Sequence, residues 1–184
     1  MLVRHSTFFR ACCSESYKEG QEKTLRLPDS DPEIFPMYLQ WAYSGALDVP
    51  PPEASPEEII STSIRLIKLY MMADFLGDTL LRNKICDIFS QRQGFLAIAC
   101  APAQFRYIYQ HTREGCKLRN VFVGVHQHYC PSSFLRKWAE ELPRAFLTDL
   151  AVAQSETIEN SRSSRPEGGK CEYHEHDEDV PKCH

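Results

Sequence analysis

The stretch that most constrains this chain lies between Pro50-Pro51-Pro52 and Gly77. Three consecutive prolines make a stiff connector that neither a helix interior nor a sheet interior accepts. Behind it, Ser55-Pro56-Glu57-Glu58 has the spacing of a capping box: Ser55 reaches the third free amide and Glu58 reaches back to the cap. Ile60, Ile64, Ile67 and Met71 then recur on one helical stripe, with Leu66, Tyr70 and Ala73 beside them. So wide an apolar face belongs to a helix covered on most sides, and this segment is predicted to be central. Gly77 ends it. Asp78 caps a further helix whose Leu81, Ile85, Ile88 and Phe89 point inward.

The segments around this centre read as follows. Met1–Gly20 is predicted to be a short helical piece with Phe9, Cys12 and Cys13 on one face, closed at Glu19-Gly20. Lys23–Leu27 alternates polar and apolar residues, as a half-buried strand does. Pro28-Asp29-Ser30 is a turn. Asp31 then caps a helix, Pro32 suits its first position, and Phe35, Tyr38, Leu39, Trp41, Ala42 and Tyr43 run along it to Gly45. Ala46–Val49 is a short strand or an extended arm. Beyond Gly94 helices are predicted at about Pro102–His111, Lys117–Tyr129 and Ser133–Glu156, the last interrupted at Pro143. From about Ser161 the composition turns into SRSSRPEGGK, a linker by content, followed by CEYHEHDEDVPKCH.

Composition narrows the function classes. A chain of 184 residues with 42% hydrophobic content has enough material for a real core. A net charge of −4, with no run of Lys/Arg interleaved with aromatics, gives no footing for nucleic acid. The best apolar stretch, Phe95–Ala103, has about half the roughly 20 residues that span a bilayer. No secretory h-region opens the sequence, so a cytoplasmic or nuclear protein is expected, with its 8 cysteines as reduced thiols.

Few constellations carry chemistry. Cys116 lies in the basic run REGCKLRN, which favours thiolate, but nothing positions a base beside it. In HQHYC, His126 and Cys130 share a helical face while His128 points elsewhere, and two ligands do not make a zinc site. The tail is richer: Cys171, His174, His176 and Cys183 supply four zinc-type ligands in a short span. Structural zinc in peptides contributes roughly 10–16 kcal/mol, while ordering backbone costs about 1–2 kcal/mol per residue. With only Tyr173 and Val180 as apolar support, the tail is either a weak zinc site, one completed by docking on the helical body, or an acidic segment that happens to be His-rich.

Four pieces occur in a telling order: Ser6-Thr7-Phe8-Phe9, then Lys23–Leu27 with Pro28, then DPEIFPMYLQWAYSG (Asp31–Gly45), then LIKLYMMADFLGDTLLRNKICD (Leu66–Asp87). Together they resemble the BTB/POZ domain, particularly the many such proteins of filamentous fungi. IYQHTREGCKLRN (Ile108–Asn120) and the Cys/His tail resemble the C-terminal part of fungal members.

The resemblance implies an α+β, predominantly helical chain. A partial BTB/POZ domain of short strands and helices is expected at 1–93, a helical extension at 94–160, and a flexible linker with the Cys/His-rich tail at 161–184. In that family the counterpart of Ser6-Thr7-Phe8-Phe9 follows a β-hairpin and a helix. The chain is therefore expected to lack those elements and to fold poorly alone unless its C-terminal helices compensate. Family self-association uses the same elements, so self-association is in doubt. The implied function is a non-enzymatic protein–protein interaction module, a substrate adaptor or scaffold for a cullin-type ubiquitin ligase. Tyr38 and Tyr43 are the carried-over contacts with the cullin scaffold. No cofactor is required, zinc at the tail being the exception, and the partners are proteins rather than nucleic acid or membrane.

Overall fold

The serine cap does open the longest helix. A computed structural model describes residues 6–22, 24–25, 27, 31–51, 53–91 and 101–161, which form nine helices. They are α1 (Thr7–Cys12), α2 (Lys18–Glu22), α3 (Phe35–Ser44), α4 (Pro56–Phe75), α5 (Thr79–Gln91), α6 (Pro102–His111), α7 (Lys117–Tyr129), α8 (Ser132–Trp138) and α9 (Arg144–Ser161). The Ser55 hydroxyl accepts from the Glu58 amide at 3.2 Å, which is the capping geometry that the sequence spacing predicts.

α4 and α5 form the centre, folded back on each other through Leu76-Gly77-Asp78. α3 lies on α4, α7 on the other side of α5, α9 along α7, and α6 between α4, α7 and α9. One apolar core runs through all of them, from Phe9, Ile34 and Tyr38 to Phe146 and Leu150. Its two halves meet where Phe89 of α5 touches Phe122 of α7, ring centroids 5.2 Å apart. Asp31, ahead of α3, accepts from Lys68 of α4 at 2.8 Å, and that bond holds its carboxyl below the usual carboxylate range.

Three sequence expectations change. No strand forms among the described residues, so the α+β expectation is met only in its helical part. In the expected strand Lys23–Leu27, Thr24, Leu25 and Leu27 are irregular, and Lys23 and Arg26 lie outside the described residues. Alternation makes a segment competent for a sheet, but a strand needs a neighbour to bond. None of the described segments supplies one, and Leu25 and Leu27 half-bury against the helices instead. Ala46–Val49, expected as a short strand or an extended arm, is the arm.

The N-terminal piece is two helices rather than one, broken at Cys13, whose amide bonds back to Phe9 O. Only Phe9 of the expected Phe9/Cys12/Cys13 face is buried, and Cys13 is exposed. Along α4 the buried face is Ile59, Thr62, Ser63, Leu66, Leu69, Tyr70 and Ala73, with Ile67 and Met72 at its margins. The expected stripe is therefore off-centre: Ile64 is 39% exposed and Ile60 and Met71 are half-buried. Two apolar stripes adjoin on this helix, and apolar spacing alone does not rank them when the deeper one carries small polar residues. The turn expected at Pro28-Asp29-Ser30 lies outside the described residues.

Candidate partner-binding surface

The α4–α5 corner gathers side chains from three parts of the chain. Gly77 has φ +66°, a left-handed conformation that favours glycine, and it lets the Asp78 amide close back on Ala73 O at 2.8 Å. A Cβ at Gly77 would stand 2.0 Å from Thr7 Oγ1, so the start of α1 docks directly on the corner. Ser6 fastens it twice: its hydroxyl donates to Leu76 O at 2.6 Å and accepts from the Phe9 amide at 3.0 Å. The Phe8 amide donates to the same Leu76 carbonyl at 3.2 Å.

Asp78 is the hub of this corner and is fully buried. Its Oδ1 accepts from the Leu81 amide at 2.9 Å, capping α5. Its Oδ2 accepts from Trp41 Nε1 at 3.2 Å and from Tyr38 OH at 3.5 Å. Three donors on one buried carboxylate are what such a group needs to stay inside. Tyr38 is itself buried between Phe9 and Phe35, and burial first, then Asp78, pushes its hydroxyl up to about 12.

The outer side of this unit is apolar at several points. Phe75, at the end of α4, is 63% exposed and leans on Phe8, ring centroids 5.1 Å apart. Leu80 at the start of α5 and Tyr43 near the end of α3 are 59% and 66% exposed. The Arg82–Asp74 ion pair supplies a charged rim, and Arg82 also donates to Thr79 Oγ1 at 3.0 Å. Single exposed apolar residues are ordinary on protein surfaces. Large ones at the ends of helices that share a buried hub are the raw material of a partner contact.

The structure separates the two tyrosines expected as cullin contacts. Tyr43 is open to a partner. Tyr38 is buried, and its contribution is to fix α3 on Asp78. Spacing along the helix leaves both as semi-buried aromatics; in the fold the buried positions of α3 are Tyr38 and Ala42, and Tyr43 falls outside them. Phe75 and Leu80 escape sequence reasoning, because each adjoins another large apolar residue, Leu76 and Leu81, and type alone does not say which of the two turns inward. Asp78 reads from sequence only as a helix cap; its second and third donors come from residues about forty positions away.

The remaining chemical candidates disperse. Cys116 precedes α7, half-buried, and its sulfur lies 3.4 Å from Tyr70 OH. Burial raises both Tyr70 and Cys86, the latter to about 11, and among the described residues no imidazole is bonded to any of the three. His126 is buried, His128 is exposed, and the Cys130 sulfur makes a long contact to Pro131 O at 3.6 Å. No group of three or more metal-ligating side chains forms among the described residues. The expected zinc ligands Cys171, His174, His176 and Cys183 lie outside the described residues. Among the described residues no helix is long and apolar enough to cross a membrane.

Residues 1–88 match the family model of the BTB/POZ domain, a protein–protein interaction module. That span holds α1 to α4 and most of α5, including the whole corner around Asp78, and the helices from Pro102 onward lie beyond it. No curated protein and no solved structure matches the chain.

Proposed function

We propose that this chain is a non-enzymatic adaptor or scaffold, of the fungal BTB/POZ type, that recruits a cullin through the outer side of α3 and the α4–α5 corner. The observation that carries this reading is the match over residues 1–88, joined to exposed Tyr43, Phe75 and Leu80 on the same span. Tyr43 is the contact carried over from the family pattern, and Tyr38 acts through the seating of α3. α6 to α9 are the extension that offers a substrate or closing partner a second face. The setting is cytoplasmic or nuclear. The test is co-elution of the full chain with a recombinant cullin N-terminal domain on a sizing column. A complex lost on Tyr43→Ala supports the reading, and two separate peaks at micromolar concentrations oppose it.

A second reading rests on the four N/S ligands Cys171, His174, His176 and Cys183: the tail holds a structural zinc ion. One equivalent of zinc in the purified chain, lost on Cys171→Ser with Cys183→Ser, supports it. A chain purified with zinc in the buffer that carries none opposes it.

A further inference from the structure

One titratable side chain lies deep among aromatic rings. His126 of α7 is 5% exposed. Its ring centroid lies 4.9 Å from Phe105 of α6, 5.8 Å from Phe134 of α8, 5.6 Å from Phe146 of α9 and 6.4 Å from Phe122 of α7 itself. Four helices therefore meet on one imidazole. Nδ1 is 2.8 Å from Phe122 O, and a carbonyl only accepts, so Nδ1 carries the proton of the neutral ring. A second proton goes to Nε2. A cavity of about 90 Å³ opens beside the ring, bounded by Val125, Tyr129, Cys130, Pro131 and Phe134.

Among the described residues no carboxylate offsets a charge there. Asp149 of α9 accepts from Tyr109 at 2.7 Å, and Arg119 of α7 is spent on Thr112 Oγ1 at 2.8 Å and Tyr109 O at 2.9 Å. Arg106 of α6 donates to Glu141 O at 3.1 Å, and Arg136 and Lys137 of α8 are exposed. The titratable neighbours on the cavity itself are Tyr129 and the Cys130 thiol, which burial holds above its ordinary range and so uncharged. Burial likewise holds His126 below the ordinary histidine range.

We propose that His126 is an acid-sensitive latch: its protonation releases α8 from α6, α7 and α9 while residues 6–91 stay folded. A buried imidazolium needs water at Nε2. Phe134 of α8 borders both the ring and the cavity, and of the four helices that meet on the ring α8 is the shortest and the only one without a buried residue among those described. It has seven residues, none of them fully buried, and it rests on half-buried Phe134, Leu135 and Trp138. The sign follows from the ring's environment. An unfolded histidine takes its proton near pH 6.5, roughly, and the buried one resists it, so the latch is closed above that pH and opens as pH falls below it.

The two tryptophans report on the two sides. Trp138 belongs to α8, and Trp41 is bonded to Asp78 in the corner. The full chain, ¹⁵N-labelled, gives one indole N–H signal for each, assigned with Trp41→Phe. On lowering the pH from about 7.5 to about 5, the Trp138 signal is expected to shift or broaden while the Trp41 signal holds. In His126→Gln the Trp138 signal is expected to lose that response. Simultaneous change of both signals, no change in Trp138, or a full response retained in His126→Gln overturns the proposal. If His126→Gln does not fold, the order of events in the unsubstituted chain decides: Trp138 before Trp41 supports it, and both together overturns it.

Discussion

The corner around Asp78 and the cage around His126 bury an ionisable side chain equally well by opposite means. At the corner, three donors converge on a carboxyl group, so burial and hydrogen-bond satisfaction coexist. In the cage, four phenylalanine rings surround an imidazole whose one described hydrogen bond goes to its own helix. The first arrangement ties α1, α3, α4 and α5 through directional bonds. The second packs α6 to α9 on apolar rings, while the directional bonds between those helices, such as Tyr109 to Asp149 and Gln127 to Ala153 O, lie away from the imidazole, and the cage is stable only while its polar member stays neutral. The difference maps on the family match: the bonded hub lies inside residues 1–88, and the ring cage lies beyond them.

Phe105→Ala strikes the cage hardest. Phe105 is fully buried and touches Phe122, Phe134, Phe146 and His126. Urea denaturation is expected to show a loss of about 3–5 kcal/mol. A loss confined to α6–α9, with the Trp41 environment intact, would sharpen the contrast between the regions; loss of both at once would show that Phe89–Phe122 couples them fully.

Asp78→Ala attacks the corner. It strands the Leu81 amide and the Trp41 indole, at an expected cost of about 2–3 kcal/mol by the same measurement. Asp78→Asn keeps one acceptor and should cost less than the alanine. Equal costs would mean that charge, not bond count, holds the corner.

Two left-handed glycines give a smaller, internally controlled test. Gly45 has φ +68° with nothing within 4 Å of where a Cβ would stand, and Gly77 has φ +66° with Thr7 in the way. Gly45→Ala is expected to cost about 1 kcal/mol and Gly77→Ala about 2 kcal/mol or more, by thermal or urea unfolding. Adding Thr7→Ala should recover part of the second cost. If the two alanines cost the same, α1 does not dock as described.

Tyr43→Ala and Leu80→Ala have the smallest expected effect on stability, under about 0.5 kcal/mol, because neither side chain is buried. Their expected effect is on partner binding. A large loss of stability in either would place them in the fold rather than at an interface.

Much of the helical frame is legible in the sequence because its punctuation is local. Ser55, Gly45, Gly77 and Pro102 mark boundaries through their own backbone chemistry, and α6 and α7 begin and end where spacing puts them. In α5 the inward set Leu81, Ile85, Ile88 and Phe89 stands apart from polar neighbours, and all four are buried. What fails is non-local. The strand at Lys23–Leu27 depends on a neighbour, the centre of α4 on which stripe its partners cover, and the Tyr38/Tyr43 distinction on where Asp78 sits in space. The cage is hidden for the same reason: His126 reads in HQHYC as a core or surface residue of a helix, and the four rings that surround it are spread from Phe105 to Phe146.

The most direct test of an adaptor surface on α3 and the corner is isothermal titration of the full chain with a cullin N-terminal domain, repeated for Tyr43→Ala and Phe75→Ala. Saturable binding that weakens at least about tenfold, or roughly 1.4 kcal/mol, in either variant with unfolding unchanged is the expected result. Absence of binding by the folded chain, or binding indifferent to both substitutions, would contradict it.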